Sequence, residues 1–177
     1  GLSGWLGVIG AGGIGLTAIA LAQVLGLGPV VAFEPDARRR AAALAAGAQL
    51  ALDPADSSAL AALPARLGGA AAAVIDFVGR PETYALGTEA LQRGGRYIIV
   101  GLFGGEVTLT LPMLALRAIS IAGSAVGSLA EMHELVALAR SGALPPLPIT
   151  LRPLAEADAA LDDLAAGQVV GRVVLQP

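Results

Sequence analysis

The 177-residue sequence contains no cysteine and few charged residues, 14% in all. Without cysteine, a disulfide framework and a thiolate metal site are both excluded. The formal net charge is −3 at pH 7, and Arg38, Arg39 and Arg40 form the single basic cluster, which offers little to a nucleic-acid backbone. We therefore expect no nucleic-acid partner, and a reducing, cytoplasmic setting is the default expectation.

Apolar residues are abundant: 55% of the residues are hydrophobic and the mean hydropathy is +0.74. Either the protein meets a membrane, or it buries much of its surface in a parallel sheet or against a partner. The stretch WLGVIGAGGIGLTAIALAQVLG (Trp5–Gly26) is uncharged and long enough to span a bilayer. However, the glycines from Gly7 to Gly15 would each cost about 1 kcal/mol inside a helix. We therefore expect no membrane span.

Short apolar runs alternate with helical stretches, and Gly or Pro separates them. Strands are predicted at Trp5–Gly10, Pro29–Glu34, Ala48–Asp53, Ala71–Gly79, Gly94–Gly104 and Arg117–Ser124, with short ones near Ile149–Arg152 and Gly171–Leu175. Helices are predicted at about Ile14–Leu25, Ala37–Ala46, Ser57–Leu67 (weak, interrupted by Pro64), Glu82–Leu91, Leu129–Ser141 and Ala155–Ala166. This order predicts an α/β fold of the Rossmann type, a doubly wound parallel sheet with helices on both faces. Strands covered on both faces are apolar throughout, which explains the hydropathy without a membrane.

Domain organisation is indicated by the start of the sequence and by one proline-rich stretch. The first residue is Gly1 and no basic segment precedes the apolar run, so we expect no signal peptide and expect the sequence to be part of a longer protein. The stretch ALPPLPITLRPL (Ala143–Leu154) is the best internal boundary. It divides the chain into a doubly wound core, residues 1–142, and a C-terminal segment, residues 143–177.

Glycines at the junction of the first strand and first helix follow the pattern G-x-G-x-x-G, with Gly10, Gly12 and Gly15 at its fixed positions. The first glycine allows a tight turn, the second lets a diphosphate approach the backbone, and the third lets the helix pack closely on the sheet. Free N–H groups at the start of the helix bind the diphosphate, so no basic side chain is needed. Glu34, at the end of the second strand, is placed to accept hydrogen bonds from the adenosine ribose.

The same carboxylate bears on the choice between NAD and NADP. A 2′-phosphate charge about 4 Å from Glu34 would cost about 4 kcal/mol at an effective dielectric constant of about 20. Arg38 or Arg39 could offset part of that cost, although the arginine run is also typical of a solvated helix face. NAD is favoured, and NADP stays open.

Four stretches resemble the medium-chain alcohol dehydrogenase family: VIGAGGIGLTAIALAQVLG, VIDFVGRPET, LQRGGRYIIVGLFGG and LAAGQVVGRVVLQP. The resemblance covers essentially the whole chain, in order. The G-A-G-G-x-G form is similar to the zinc-type alcohol and polyol dehydrogenase branch, whereas the zinc-free quinone and enoyl reductases more often have Ala at the first motif glycine.

The resemblance implies a role for residues on both halves of the cofactor. Gly10, Gly12, Gly13, Ile14 and Gly15 would hold the diphosphate together with Arg172, and Arg39 would lie alongside the ribose that Glu34 binds. The remaining implied contacts follow the fourth, fifth and sixth strands: Phe77, Val78, Gly101, Leu102, Ser124 and Val126. Phe77 and Val78 would lie near the cofactor. Backbone groups of Gly101 and Leu102 would contact the nicotinamide, and those of Ser124 and Val126 would contact its carboxamide.

Members of the family also carry a preceding catalytic domain with the zinc ligands and the proton relay, and this sequence begins where that domain would end. We assign no catalytic or metal-binding residue to this chain. The single histidine, His133, is expected on a helix surface, the aspartates Asp158, Asp162 and Asp163 on a solvated helix face, and Asp76 in a structural role or near the cofactor. Zinc is implied only for the catalytic domain, and the substrate is not indicated.

The leading hypothesis is a zinc-dependent and NAD-dependent alcohol or polyol dehydrogenase whose NAD is held by a Rossmann domain at residues 1–142. Residues 143–177 would pack on the catalytic domain, and this chain alone would be inactive. The alternatives are a stand-alone dinucleotide-binding or redox-sensing module and a zinc-free quinone or enoyl reductase of the same superfamily. We expect the dinucleotide and the catalytic domain as partners, the latter on an exposed apolar patch. The resemblance also implies a second copy, paired through the edge strand near Arg117–Gly123.

Overall fold

A computed structural model describes residues 4–177 and contains a six-stranded parallel sheet with the order β3-β2-β1-β4-β5-β6. Gly1, on which the expectation of a longer protein rests, lies outside the described residues. The strands of this sheet are β1 (Trp5–Ile9), β2 (Val30–Phe33), β3 (Leu50–Leu52), β4 (Ala71–Asp76), β5 (Leu91–Ile99) and β6 (Ser120–Gly123). The strand order confirms the predicted doubly wound α/β fold of the Rossmann type.

Helices connect the strands, as the alternating pattern predicts. They are α1 (Gly13–Val24), α2 (Ala37–Ala45), α3 (Ser57–Leu67), α4 (Pro81–Ala90), α5 (Leu111–Arg117), α6 (Leu129–Arg140) and α7 (Ala157–Ala165), with a 3₁₀ turn at Leu154–Glu156. Among the described residues, no helix combines the length and the apolar character needed to cross a membrane.

The core consists of two apolar clusters, one on each face of the sheet. Successive strand residues point to opposite faces, and in β1 Leu6 and Val8 belong to one cluster while Trp5 and Ile9 belong to the other. The same alternation occurs in β2. All five residues of β1 and all four of β2 are buried, which accounts for their uninterrupted apolar sequences.

The central strand β1 pairs in parallel with β2 on one side and with β4 on the other. The chain therefore builds the sheet outward from β1 in one direction and then continues from β4 in the other. At such a reversal the loops after the two strands diverge, which leaves a crevice at their carboxyl ends where α/β proteins bind ligands.

The last two strands, β7 (Ile149–Pro153) and β8 (Arg172–Gln176), pair in parallel with each other in a separate two-stranded sheet. Arginines of α2 connect this C-terminal segment to the larger sheet. Arg39 donates from Nη2 to the carbonyl of Gly167 at 3.0 Å and from Nε to that of Val169 at 3.3 Å, and Arg38 reaches Gln168 Oε1. Arg38 is exposed, as predicted for a solvated helix face, whereas the prediction is wrong for Arg39, which is partly buried against the C-terminal turn.

The structure also corrects several predicted boundaries. Leu111–Arg117 is a helix, so the strand predicted from Arg117 begins only at Ser120. The sequence is ambiguous here because a short apolar run fits a strand as well as a helix, and Pro112 in the first turn favours the helix. Pro64 does not interrupt α3, whose start is capped by Asp56. The strand predicted at Gly94–Gly104 is β5, which begins at Leu91 and ends at Ile99; the next two amides both donate to the Asp76 carbonyl.

Candidate dinucleotide site

The glycine motif lies where sequence analysis predicts it, in the turn between β1 and α1. Gly10 adopts a φ of +87°, a left-handed conformation that favours glycine. It also lies close to the loop after β4, because a Cβ on Gly10 would approach Val78 Cγ2 to 2.9 Å. The turn therefore leaves little space beside β4 and directs the chain into the helix.

Gly12 and Gly15 have opposite surroundings. A Cβ on Gly15 would overlap the carbonyl oxygen of Gly10, so the third motif glycine allows the contact between helix and turn. A Cβ on Gly12 would meet no atom within 4 Å. Gly12 therefore leaves open space beside its own backbone, as a position approached by a diphosphate requires.

The start of α1 presents backbone donors to that open space. The hydrogen bonds of the helix begin with Leu16 N–H donating to Gly12 O at 2.9 Å, so the amides just before it have no partner within the helix. The first turn contains no acidic side chain, and Gly12 provides no side-chain cap. The Arg172 guanidinium lies against Gly13, where it would overlap a Cβ. Together these groups form an electropositive end suited to an anion.

Glu34 is a buried carboxylate, 3% exposed, directly after β2. Its Oε2 accepts a hydrogen bond from Ala11 N at 2.9 Å and its Oε1 accepts one from Asp36 N at 3.0 Å. The side chain thus joins the glycine-rich turn to the start of α2. Each carboxylate oxygen has two lone pairs, so each retains acceptor capacity for a further donor.

A cleft of about 560 Å³ lies beside Glu34, within the size range of ligand pockets. Its lining combines backbone of the glycine turn, apolar side chains and a few charged groups: Ile9, Gly10, Phe33, Glu34, Pro35, Arg39, Pro54, Val78, Arg80, Glu82, Thr83, Leu86 and Phe103. Arg39 therefore lies at the cleft while its guanidinium is bonded to the C-terminal turn. The arrangement suits a nucleoside whose ribose meets the carboxylate.

The other sequence-predicted site residues lie at the carboxyl ends of β4, β5 and β6. Phe77 and Val78 follow β4, and Gly101 packs against the Val78 backbone. Leu102 is 94% exposed and Val126 is 92% exposed, while Ser124 is exposed directly after β6. The structure therefore brings the β4 and β5 loops together, whereas Leu102, Ser124 and Val126 face solvent.

Sequence analysis did not assign Arg80 or Phe103 a role. The Arg80 guanidinium lies 4.4 Å from the centre of the Phe103 ring, a cation–π geometry. Arg80 contributes to the Glu34 cleft and also to a second cavity of about 290 Å³ beside Asp76 and Tyr97. The position of Arg80 immediately after the DFVG stretch was the available sequence signal.

A hydrogen-bond network around Asp76 was also missed, although its structural role was anticipated. Asp76 is fully buried and accepts a hydrogen bond from Tyr97 OH at 2.5 Å and one from Thr83 Oγ1 at 2.6 Å. Burial, followed by this hydrogen bond, raises the pKa of the Tyr97 hydroxyl well above its usual value. Tyr97 therefore stays protonated and acts as a donor. No sequence pattern links residues 76 and 97, since only the pairing of β4 with β5 brings them together.

Within residues 4–177, no three His, Asp or Glu side chains are grouped closely enough to hold a metal ion. His133 is exposed on α6, as predicted. Asp158 and Asp162 are exposed on α7, but Asp163 forms an ion pair of 2.7 Å with Arg152 of β7. The Asp163 side chain is still 42% exposed, so the three aspartates lie on a solvated helix face, as predicted.

Comparison with known proteins gives consistent results. The NAD-dependent alcohol dehydrogenase of Sulfurisphaera tokodaii is 30% identical over 172 residues, which are 96% of this chain and 50% of that protein. The crystal structure of the alcohol dehydrogenase from Aeropyrum pernix matches with a TM-score of 0.89 and 31% identity, covering 99% of this chain and 50% of that one. The acetophenone reductase of Geotrichum candidum, solved in complex with NAD, matches with a TM-score of 0.84 and 26% identity over 99% of this chain and 49% of that one.

The chain thus spans about half the length of the relatives it matches. A family model described as "zinc-binding dehydrogenase" matches residues 13–141, most of the sheet and its helices. Because this match covers most of the chain and the fold agrees with it, the chain belongs to the zinc-binding dehydrogenases. This is the medium-chain alcohol dehydrogenase family that its sequence resembles.

Proposed function

We propose that this chain is the NAD-binding part of a zinc-dependent alcohol or polyol dehydrogenase. The complete protein would transfer a hydride between an alcohol or carbonyl substrate and the nicotinamide ring. The observation that carries the proposal is the buried Glu34 carboxylate, hydrogen-bonded to the glycine-rich turn and facing a cleft of nucleotide size. A match to NAD-dependent alcohol dehydrogenases supports it.

The described residues fit a dinucleotide. Open space above Gly12, free amides at the start of α1 and the Arg172 guanidinium suit a diphosphate. The remaining lone pairs of Glu34 suit the two hydroxyls of an adenosine ribose. When bound, NAD supplies the hydride acceptor or donor, while this chain binds it and fixes its orientation.

NAD is proposed over NADP on electrostatic grounds. A phosphate charge about 4 Å from Glu34 would be disfavoured by about 4 kcal/mol at an effective dielectric constant of about 20. Arg38 and Arg39 are the candidates to offset that repulsion, and Arg39 lines the cleft. Both are bonded to the turn at residues 167–169, so compensation would require them to leave those carbonyls.

The zinc ion and the substrate pocket are assigned to a catalytic domain outside this chain. That domain would cover an exposed apolar surface beside the proposed nicotinamide site, where Leu102, Phe103 and Val126 are each at least 70% exposed. The proposal therefore expects NAD binding without turnover from this chain alone.

A homodimer joined through β6 belongs to the same proposal. β6 is the last strand of the described sheet and pairs only with β5, so its outer edge is available to a second copy. Sedimentation velocity is expected to give twice the mass of 17.5 kDa. A monomer at every concentration tested would contradict this part of the proposal.

Calorimetric titration of the chain with NAD and with NADP tests the cofactor assignment. We expect NAD to bind more tightly, and Glu34→Gln to reduce this preference because the variant removes the charge that repels a 2′-phosphate. Glu89→Gln is the matched control, since Glu89 is an exposed glutamate of α4. Failure of both dinucleotides to bind would contradict the cofactor assignment. A preference of the unmodified chain for NADP would contradict the role of Glu34.

A further inference from the structure

Asp76 accepts hydrogen bonds from two directions through its side chain. Oδ1 accepts from the backbone amides of Val78 at 2.8 Å and Gly79 at 3.0 Å. Oδ2 accepts from Thr83 Oγ1 at 2.6 Å and Tyr97 OH at 2.5 Å. One oxygen thus fixes the loop after β4, and the other is held in place by hydroxyls of α4 and β5.

The backbone of the same residue fixes a second loop. The Asp76 carbonyl accepts from Val100 N at 2.8 Å and from Gly101 N at 2.9 Å, at the point where the chain leaves β5. The two loops are in direct contact. A Cβ on Gly79 would overlap Gly101 O, and one on Gly101 would overlap the Val78 backbone. The separation between the loops therefore depends on Asp76.

Through Gly79, Gly101 and Leu102 these loops line the second cavity, whose lining does not include Glu34, while Val78 also borders the Glu34 cleft. In a doubly wound sheet the two mononucleotide halves of a dinucleotide lie over the two halves of the strand order. Glu34 follows β2, so the adenosine half belongs above β1, β2 and β3. The nicotinamide half then belongs above β4, β5 and β6, where the loops at residues 77–79 and 100–102 lie.

We propose that Asp76 is a positioning residue that sets the separation of these two loops and thereby the binding of the nicotinamide half of NAD. Thr83 and Tyr97 hold the carboxylate in the required orientation. The inference rests on the proposed function and deepens it, because it assigns nicotinamide binding to a residue that is itself fully buried.

The experiment compares two ligands, NAD and ADP-ribose, which lacks the nicotinamide. For Asp76→Ala, which removes all four side-chain acceptor contacts, we expect calorimetry to show NAD affinity at least about tenfold lower, whereas ADP-ribose affinity changes less than about twofold. A residue needed only for stability would leave the ratio of the two affinities unchanged in the folded fraction.

Asp76→Asn is expected to restore the ratio of NAD affinity to ADP-ribose affinity to that of the unmodified chain. Its amide oxygen accepts from Val78 and Gly79, and its NH₂ group donates to the Thr83 and Tyr97 oxygens, both of which can accept. If Asp76→Ala does not fold, Tyr97→Phe combined with Thr83→Val removes both hydroxyl donors while the carboxylate and its amide contacts remain. We expect that double variant to lower the ratio about threefold or more.

Tyr84→Phe is the matched control for Tyr97→Phe. The Tyr84 ring packs edge-on against the Tyr97 ring with centroids 5.5 Å apart, and no hydrogen bond of its hydroxyl occurs among residues 4–177. We expect its affinity ratio to equal that of the unmodified chain.

Several results would overturn the inference. An unchanged ratio in folded Asp76→Ala, or in the double variant, would overturn the positioning role, and so would an Asn variant as impaired as the Ala variant. Equal affinity of the unmodified chain for NAD and ADP-ribose would overturn it while leaving the cofactor assignment intact. If the unmodified chain binds neither ligand, the proposed function itself fails.

Discussion

Gly12 and Gly15 belong to one motif but have different physical tasks, and substitution by alanine separates them. Gly15→Ala places a Cβ on the carbonyl oxygen of Gly10, and we expect the free energy of unfolding to fall by about 3 kcal/mol. Gly12→Ala places a Cβ in open space at an ordinary φ of −74°, so we expect stability to change by less than about 1 kcal/mol. Urea denaturation measures both values.

Gly12→Ala, which should have the smaller effect on stability, should have a large effect on ligand binding. Gly12→Ala is expected to lower NAD affinity at least about tenfold, because its methyl group occupies the space into which the diphosphate must come. A folded Gly12→Ala chain with unchanged NAD affinity would show that the diphosphate does not approach this residue.

Glu34 illustrates how far a single residue can be predicted from sequence. Its place at the end of a strand, after a glycine motif, was sufficient to predict a carboxylate at the crevice. Its bond to Ala11 N was not predictable, because it depends on the folded path of a turn more than twenty residues away, whereas its bond to Asp36 N is local. Asp76 shows the same limit, since its partner Tyr97 comes from the neighbouring strand.

At the scale of elements, β8 contributes to a site formed mainly by β1 and α1. Arg172 lies against Gly13, so Arg172→Gln is expected to lower NAD affinity by about tenfold, the effect of losing one charge-assisted contact. Titration at low and high salt should show a weaker salt dependence for the variant.

Arg152→Gln provides the control for that measurement. Arg152 lies on β7, the partner strand of β8, and pairs with Asp163 at 2.7 Å instead of facing α1. We expect its NAD affinity to stay within about twofold of the unmodified chain, given the small contribution of such ion pairs. Equal losses for both arginine variants would point to damage to the two-stranded sheet and not to a contact with the diphosphate.

The elements themselves were predictable where their signals were strong. Buried strands are uniformly apolar, and Asp36, of a residue type that favours helix starts, caps α2 by accepting from Arg38 N and Arg39 N. The helix α5 was missed because seven residues, LPMLALR, are too few to display a helical period. The end of β5 was predicted too far along the chain because the turn after Ile99 is set by hydrogen bonds to the Asp76 carbonyl and not by a local breaker residue.

For the whole molecule, the absence of lysine and cysteine leaves few groups that titrate near pH 10. The raised pKa of Tyr97, caused by burial and by its bond to Asp76, means that the unfolded chain releases this proton first as pH rises. Its contribution to stability is therefore complete below about pH 10, the unfolded value, and is lost above it at up to about 1.4 kcal/mol per pH unit.

Denaturation of the unmodified chain and of Tyr97→Phe between pH 8 and 11 measures this contribution. We expect the free energy of unfolding of the unmodified chain to decline above pH 10, and that of Tyr97→Phe to decline less steeply. Both curves should be parallel below pH 9. The same slope in both proteins above pH 10 would show that Tyr97 is not the group responsible.

The contact between Arg172 and Gly13 has a consequence for the order in which the site is completed. During synthesis, all six strands of the larger sheet are present once Gly123 has been added, and domains can begin to fold as they emerge from the ribosome. The guanidinium that lies on the first helix is added almost fifty residues later. A nascent chain can therefore form the glycine turn and the sheet well before it can hold a diphosphate at full strength, so cofactor capture would follow folding of the sheet.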